Sequence, residues 1–127
     1  MGLEFTLETR DEVGIARLSG SLTLGPQLAR FARHISTFIA ARNLTGLVLD
    51  MAGIEMIDSA GLGELVILYT SCGQSGCRLC LLAARAQVRN LLQITRLSDL
   101  FPQFEDELSA RDWVAIPKAP GQSTDDR

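Results

Sequence analysis

Hydrophobic and polar positions alternate at the start of the chain. Leu3, Phe5 and Leu7 share one face and Glu4, Thr6 and Glu8 the other, the period of two that a half-buried strand requires. Asp11-Glu12 marks a turn, and Val13, Ile15 and Leu18 form a second strand ending at Gly20, the antiparallel partner of the first in a hairpin. From Gln27 to Ala41 the spacing changes to threes and fours. Leu28, Phe31, Ala32, Ile35, Phe38 and Ile39 make one stripe with Arg30, Arg33 and Thr37 opposite, an amphipathic helix with Pro26 near its start.

Leu47-Val48-Leu49 is a continuous apolar run ending in Asp50, the signature of a strand covered on both faces. Leu62, Leu65, Val66, Tyr69 and Cys72 keep helical spacing over Ala60 to Cys72, and Gly73 to Gly76 closes that helix. Arg78 to Leu82 predicts another buried strand. Val88, Leu91, Leu92 and Thr95 mark a third helical face, Leu100 to Phe104 a last short strand, and Asp106 to Val114 a weakly patterned helix. Strand and helix alternate from residue 27 onward, which implies parallel strands with right-handed crossovers. The expected fold class is α/β: a mixed, mostly parallel sheet with an N-terminal antiparallel hairpin and helices packed against it. Residues 1–116 are expected to form one domain. Residues 117–127 carry no apolar pattern and are expected to be a disordered tail.

Composition narrows the chemistry. The 12 basic and 15 acidic residues leave a net charge of −3, so no basic surplus is available to grip phosphate backbones, and nucleic acid is not an expected partner. The longest apolar run, Leu79 to Ala84, is far shorter than the ~20 residues that span a bilayer. No direct membrane insertion is expected. The start, Met1-Gly2-Leu3-Glu4, has neither basic residues nor an apolar leader, which points to a cytoplasmic protein. The only lysine, Lys118, lies in the polar C-terminal stretch and the only histidine is His34, so chemistry that needs a buried lysine or a multi-histidine zinc site has no candidate. No metal or other cofactor is expected.

Cys72, Cys77 and Cys80 have the spacing of plant-type iron–sulfur ligands without the fourth cysteine. Cys72 falls on a buried helical stripe, and Cys77 and Cys80 point to opposite faces of a strand, so core thiols are expected. His34 reads as a solvated helix residue. Glu105-Asp106-Glu107 reads as favourable charge at the positive end of the last helix.

The densest signal is Ile57-Asp58-Ser59-Ala60-Gly61-Leu62-Gly63, after a strand and at the opening of the second helix. Ser59 suits the N-cap. Two glycines in a first turn cost helix propensity, about 1 kcal/mol each relative to alanine, so they ask for a close approach of another backbone or a ligand. Capping of an ordinary helix, with both glycines packed on a neighbouring element, is the plain alternative. A Gly-x-Ser-x-Gly elbow is absent and His34 is the only base, which argues against a hydrolase.

This motif, with Leu18-Ser19-Gly20 before the first helix, Leu47-Val48-Leu49-Asp50 and Leu97-Ser98-Asp99-Leu100-Phe101, resembles the STAS-domain family, specifically bacterial anti-sigma-factor antagonists. The resemblance spans roughly residues 4 to 115. It implies that Ser59 is a phosphoacceptor, modified by a partner that is both anti-sigma factor and serine protein kinase and restored by a serine phosphatase. The chain would then be a binding switch that regulates transcription, and not an enzyme. It departs from the family pattern at Ala60, where many members carry Ser or Thr, and at Thr23, near which many carry an acidic residue. The alternative is a STAS interaction subunit of a stressosome-like or lipid-transport assembly, with no switch at Ser59.

The expected docking face comprises Asp58, Ser59, Ala60, Gly61, Leu62 and Gly63, with Glu64, Ile67 and Ser71 further along the second helix. With Leu62 at 0° and 100° per residue, Leu65, Val66, Tyr69 and Cys72 lie within about 80°, whereas Glu64, Ile67 and Ser71 fall at about 140–200°. Ile67 is thus an apolar residue turned from the core stripe, either a partner anchor or covered by another element.

Overall fold

The computed structural model describes residues 2–116; the expected tail, 117–127, lies outside the described residues. Its elements are β1 (Leu3–Arg10), β2 (Val13–Leu22), α1 (Pro26–Arg42), β3 (Gly46–Ile57), α2 (Ser59–Gln74), β4 (Arg78–Leu82), α3 (Ala86–Ile94), β5 (Gln103–Phe104) and α4 (Glu107–Val114). One sheet has the order β1-β2-β3-β4-β5. The β1–β2 hairpin is antiparallel and every other pairing is parallel, the expected mixed α/β architecture.

Alternation decides which face each strand residue serves. Leu3, Ala16, Leu18, Leu47, Leu49, Leu79 and Leu81 point to one side, where Phe31 and Ile35 of α1, Leu65 and Leu68 of α2, and Val88 and Leu92 of α3 complete the main core. Val13, Ile15, Val48, Cys80 and Leu82 point to the other side, covered by Ala110 and Val114 of α4. The two faces are therefore unequal, and the motif-bearing helix belongs to the thicker layer.

Several boundaries differ from the sequence expectation. β2 runs past Gly20 to Leu22 and β3 runs past Asp50 to Ile57, the two staying paired as Ser19–Gly53, Gly20–Ile54, Ser21–Met56 and Leu22–Ile57 after register shifts. These shifts break the period of two that would have announced the longer strands. β4 pairs only with Gly46–Asp50, so the end of β3 has an open edge. The Arg85 Nε donates to the Ala52 carbonyl at 2.9 Å and the Gln87 side chain to that of Glu55, closing the edge with side chains where no strand is present. The segment expected as a strand from Leu100 to Phe104 is instead a 3₁₀ turn at Ser98–Leu100 followed by the two residues of β5.

Sequence periodicity also could not reveal an ionic cluster on the α4 side. Arg17 on β2 donates to Glu8 at 2.9 Å, to Asp50 at 3.0 Å, and in bidentate fashion to Glu107 at 2.9 and 3.1 Å. Glu107 therefore clamps α4 onto the sheet, and Arg17 holds its carboxyl below the usual carboxylate range. Asp106, not Glu107, caps α4, accepting from the Ser109 amide at 2.8 Å. The acidic run does open the helix as expected, with Asp106 as its cap and Glu107 as the clamp to Arg17.

Candidate functional site

Asp58 ends the extended chain of β3, with φ −116° and ψ −173°, and is the N-cap of α2. Ser59 is the first helical residue, which corrects its assignment as the cap. The reason is chemical reach: the Asp58 Oδ1 accepts from the Gly61 amide at 2.9 Å while its Oδ2 accepts from the Leu24 amide at 3.0 Å. One carboxylate thus satisfies an amide of the first helical turn and ties the β2–α1 loop to the start of α2. The two amide donors, Leu24 first and Gly61 next, hold the Asp58 carboxyl below its ordinary range. It stays ionised at neutral pH.

With Asp58 as the cap, Ser59 projects from the first turn and is exposed. The first turn of α2 contains no acidic residue and the last turn no basic one, so the partial positive charge of the N-terminal amides has only Asp58 to offset it.

The two motif glycines answer different demands. A Cβ on Gly61 would stand 2.0 Å from the Leu22 carbonyl oxygen, whereas a Cβ on Gly63 would meet nothing within 4 Å. Gly61 is required by the fold, because α2 begins directly against the end of β2, where the Asp58 amide also bonds to the Leu22 carbonyl at 3.2 Å. Gly63 is exposed, and no contact within the described residues demands it.

Of the residues expected to dock a partner, Gly61 and Leu62 are buried, Asp58, Ala60 and Glu64 are half-buried, and Ser59, Gly63, Ile67 and Ser71 are exposed. Ile67 is 58% exposed, and no element among the described residues covers it. It lines a groove of about 540 Å³ between α1 and α2, with Phe31, Ile35, Ile39, Glu64 and Leu68. The angular stripe omitted Leu68, which is buried; α2 packs on α1 as well as on the sheet, so its covered arc is wider than one stripe. Sequence reasoning also missed Leu24 and Met56, 82% and 62% exposed. Leu24 bonds to Asp58 and Met56 lies two residues before it. Only their position beside an exposed serine, which requires the β2–β3 register, distinguishes them from ordinary strand and loop residues.

His34 is exposed on α1, its Nδ1 at 2.9 Å from the Arg30 carbonyl and its ring edge-on to Phe5, and it takes no part in the Asp58–Ser59 arrangement. Among the described residues no group of three or more His, Cys, Asp or Glu is placed to hold a metal ion. No described helix is long and apolar enough to cross a membrane.

Comparison with known proteins bears on this arrangement. The family model of the STAS domain matches residues 4–110. An anti-sigma F factor antagonist of Paenibacillus polymyxa is 27% identical over 111 residues, which are 87% of this chain and 93% of that protein. Among solved structures, the anti-sigma factor antagonist SpoIIAA in its unphosphorylated form superposes with a TM-score of 0.76 at 25% identity, covering 87% of this chain and 96% of that one. An anti-sigma factor antagonist from Mycobacterium paratuberculosis gives a TM-score of 0.74 at 22% identity, covering 91% and 96%. The phosphorylated form of Bacillus SpoIIAA gives 0.64 at 22%, covering 87% and 99%. With the family model spanning both sheet faces and the whole Asp58–Gly63 motif, the chain belongs to the STAS domain family.

Proposed function

We propose that this protein is an anti-sigma-factor antagonist that binds an anti-sigma factor with serine kinase activity while Ser59 is unmodified and releases it once Ser59 is phosphorylated. A serine phosphatase acting on phospho-Ser59 resets the switch, and the outcome is control of transcription. The observation that carries this reading is the exposed Ser59 at the first position of α2, held there by the two-amide grip of Asp58. A protein kinase can reach such a hydroxyl without unfolding the helix, and the helix N-terminus tolerates the product.

The surface around Ser59 suits a binding switch. Leu24, Met56 and Ile67 are exposed apolar residues and Gly63 leaves its stretch of backbone uncovered, a combination that fits close docking of another chain. Asp58 and Gly61 fix the geometry, Leu62 roots the first turn in the core, and Ala60, Glu64 and Ser71 border the contact. Phosphate adds about −1.5 to −2 charges in the middle of this surface, so repulsion and desolvation act on the partner directly, with no transmitted rearrangement. Relatives that are anti-sigma factor antagonists, one of them solved in both unphosphorylated and phosphorylated forms, support the same reading.

The test is transfer of labelled phosphate from Mg-ATP by the cognate anti-sigma kinase, followed by peptide mapping. Label is expected on Ser59 and lost in Ser59→Ala. Equal labelling of wild type and Ser59→Ala, or label on Ser19, Thr23 or Ser71, would overturn the assignment.

A further inference from the structure

The fold divides the three cysteines in a way that their spacing does not announce. Cys80 lies under α4, its Sγ 4.0 Å from the Ala110 carbonyl oxygen, and burial pushes its thiol up to about 12. Cys72 and Cys77 lie on the opposite face, in the main core, each 1% exposed. They bracket the end of α2. The Cys77 amide donates to the Cys72 carbonyl at 2.8 Å and the Gly76 amide to that of Gly73 at 3.4 Å, while Gly76 has φ 77°. Two nested bonds around a left-handed glycine form a Schellman cap, a motif in which the side chains at the two outer positions, here Cys72 and Cys77, are frequently in contact. The path from one Cα to the other through that 2.8 Å bond sums to about 7 Å if straight. Because the path bends, the two Cα atoms fall within disulfide range.

We propose that Cys72 and Cys77 are a redox modification site, a dithiol that a hydroperoxide converts to an intramolecular disulfide, with Cys80 excluded by the sheet between them. One cysteine sulfur attacks the peroxide O–O bond, giving a sulfenic acid and one water (or alcohol) after proton transfer. The second sulfur then displaces hydroxide from the sulfenic sulfur, forming the S–S bond, and its proton leaves in a second water. Two thiols lose two electrons in all and one peroxide gains them. Both thiols are buried, so the oxidant reaches them when the capped end of α2 opens locally, and the rate of the reaction is set by that opening. The bond would fasten the end of the helix whose Ser71 and Ser75 line the α1–α2 groove. This inference stands independently of the phosphorylation switch.

The experiment treats the folded, reduced protein with hydrogen peroxide, alkylates remaining thiols after unfolding, and maps tryptic peptides. Cleavage at Arg42, Arg78 and Arg85 places Cys72 and Cys77 together in residues 43–78 and Cys80 alone in residues 79–85. The expected result is a 43–78 peptide that takes no alkyl group and has lost two hydrogens at its cysteines, with methionine sulfoxide at Met51 or Met56 assigned separately by fragmentation, beside a fully alkylated 79–85 peptide. Cys80→Ala should leave the result unchanged, and Cys77→Ser, checked for its fold by circular dichroism, should abolish it. A 43–78 peptide in which both cysteines are alkylated, in which a cysteine has gained only oxygen, or which is crosslinked to Cys80 overturns the proposal; the wild-type map decides this even if a variant fails to fold.

Discussion

Replacing each motif glycine by alanine separates what the fold needs from what a partner needs. Alanine is favoured over glycine inside a helix by about 1 kcal/mol, and both glycines occupy the first two turns of α2, so the propensity gain is similar. At Gly61 the new methyl would sit 2.0 Å from the Leu22 carbonyl oxygen, so α2 must move off β2 by about an ångström, straining the Asp58–Leu24 tie. Overpacking of this kind costs typically 1–3 kcal/mol, and with backbone as the obstacle the upper part of that range applies. Gly61→Ala should therefore lower Tm by several degrees. At Gly63 the methyl enters open space, leaving a net gain of about 0.5–1 kcal/mol and a Tm higher by about 2–5 °C. Binding should follow the opposite logic. If partner backbone closes on Gly63, the added methyl weakens the anti-sigma complex about tenfold or more, equivalent to ~1.4 kcal/mol. Thermal melts by circular dichroism and calorimetric titration read the two quantities separately. A Gly63→Ala protein that binds as wild type does, or that melts lower than wild type, refutes the reasoning.

Ile67→Asp should weaken the same complex by at least ~1.5 kcal/mol in calorimetric titration while Tm stays nearly constant, because an exposed apolar group contributes little to the free protein; a large fall in Tm would mean that Ile67 belongs to the core. Arg17→Ala leaves Glu8, Asp50 and Glu107 without their shared cation and should cost about 1–2 kcal/mol at pH 7 in urea unfolding, the exposure of the cluster keeping the figure modest. Its pH dependence has a definite sign. Glu107 is held below its ordinary range in the wild type, so its contribution is present above the unfolded value and lost as the pH falls through the folded one; the gap between wild type and variant should narrow on acidification below about pH 4.5, and a constant gap would contradict the clamp. Phosphorylation at Ser59 should leave the fold intact, with Tm changed by less than about 10 °C by calorimetry; a larger drop would mean that the helix N-terminus does not accommodate the charge.

The elements with strong periodicity were legible in the chain itself. The Leu3–Phe5–Leu7 alternation, the Leu28–Phe31–Ile35 stripe and the apolar run at Leu47 each bury one face or two, and burial on a regular element leaves a regular trace. Features that depend on contacts distant in sequence left none. The extension of β3 to Ile57 rests on pairing with β2 and on side chains of Arg85 and Gln87, and the Arg17 cluster joins residues up to 90 positions apart. Within the motif, Asp58 and Ser59 are both good capping residues, so local chemistry could not choose between them. The choice follows from the second Asp58 oxygen, which reaches the Leu24 amide across the loop. The glycines were visible, but their opposite surroundings depend on where β2 ends.

The central claim is that a charge on Ser59 governs partner binding. Its most direct measurement is the Kd of the cognate anti-sigma kinase for this protein in two forms, unmodified and stoichiometrically phosphorylated on Ser59, by calorimetric titration in the same buffer and nucleotide. The account predicts that the phosphorylated form binds at least about tenfold more weakly, a difference of ~1.4 kcal/mol, while Ser59→Ala binds like the unmodified protein. Equal Kd values for the two forms would contradict it.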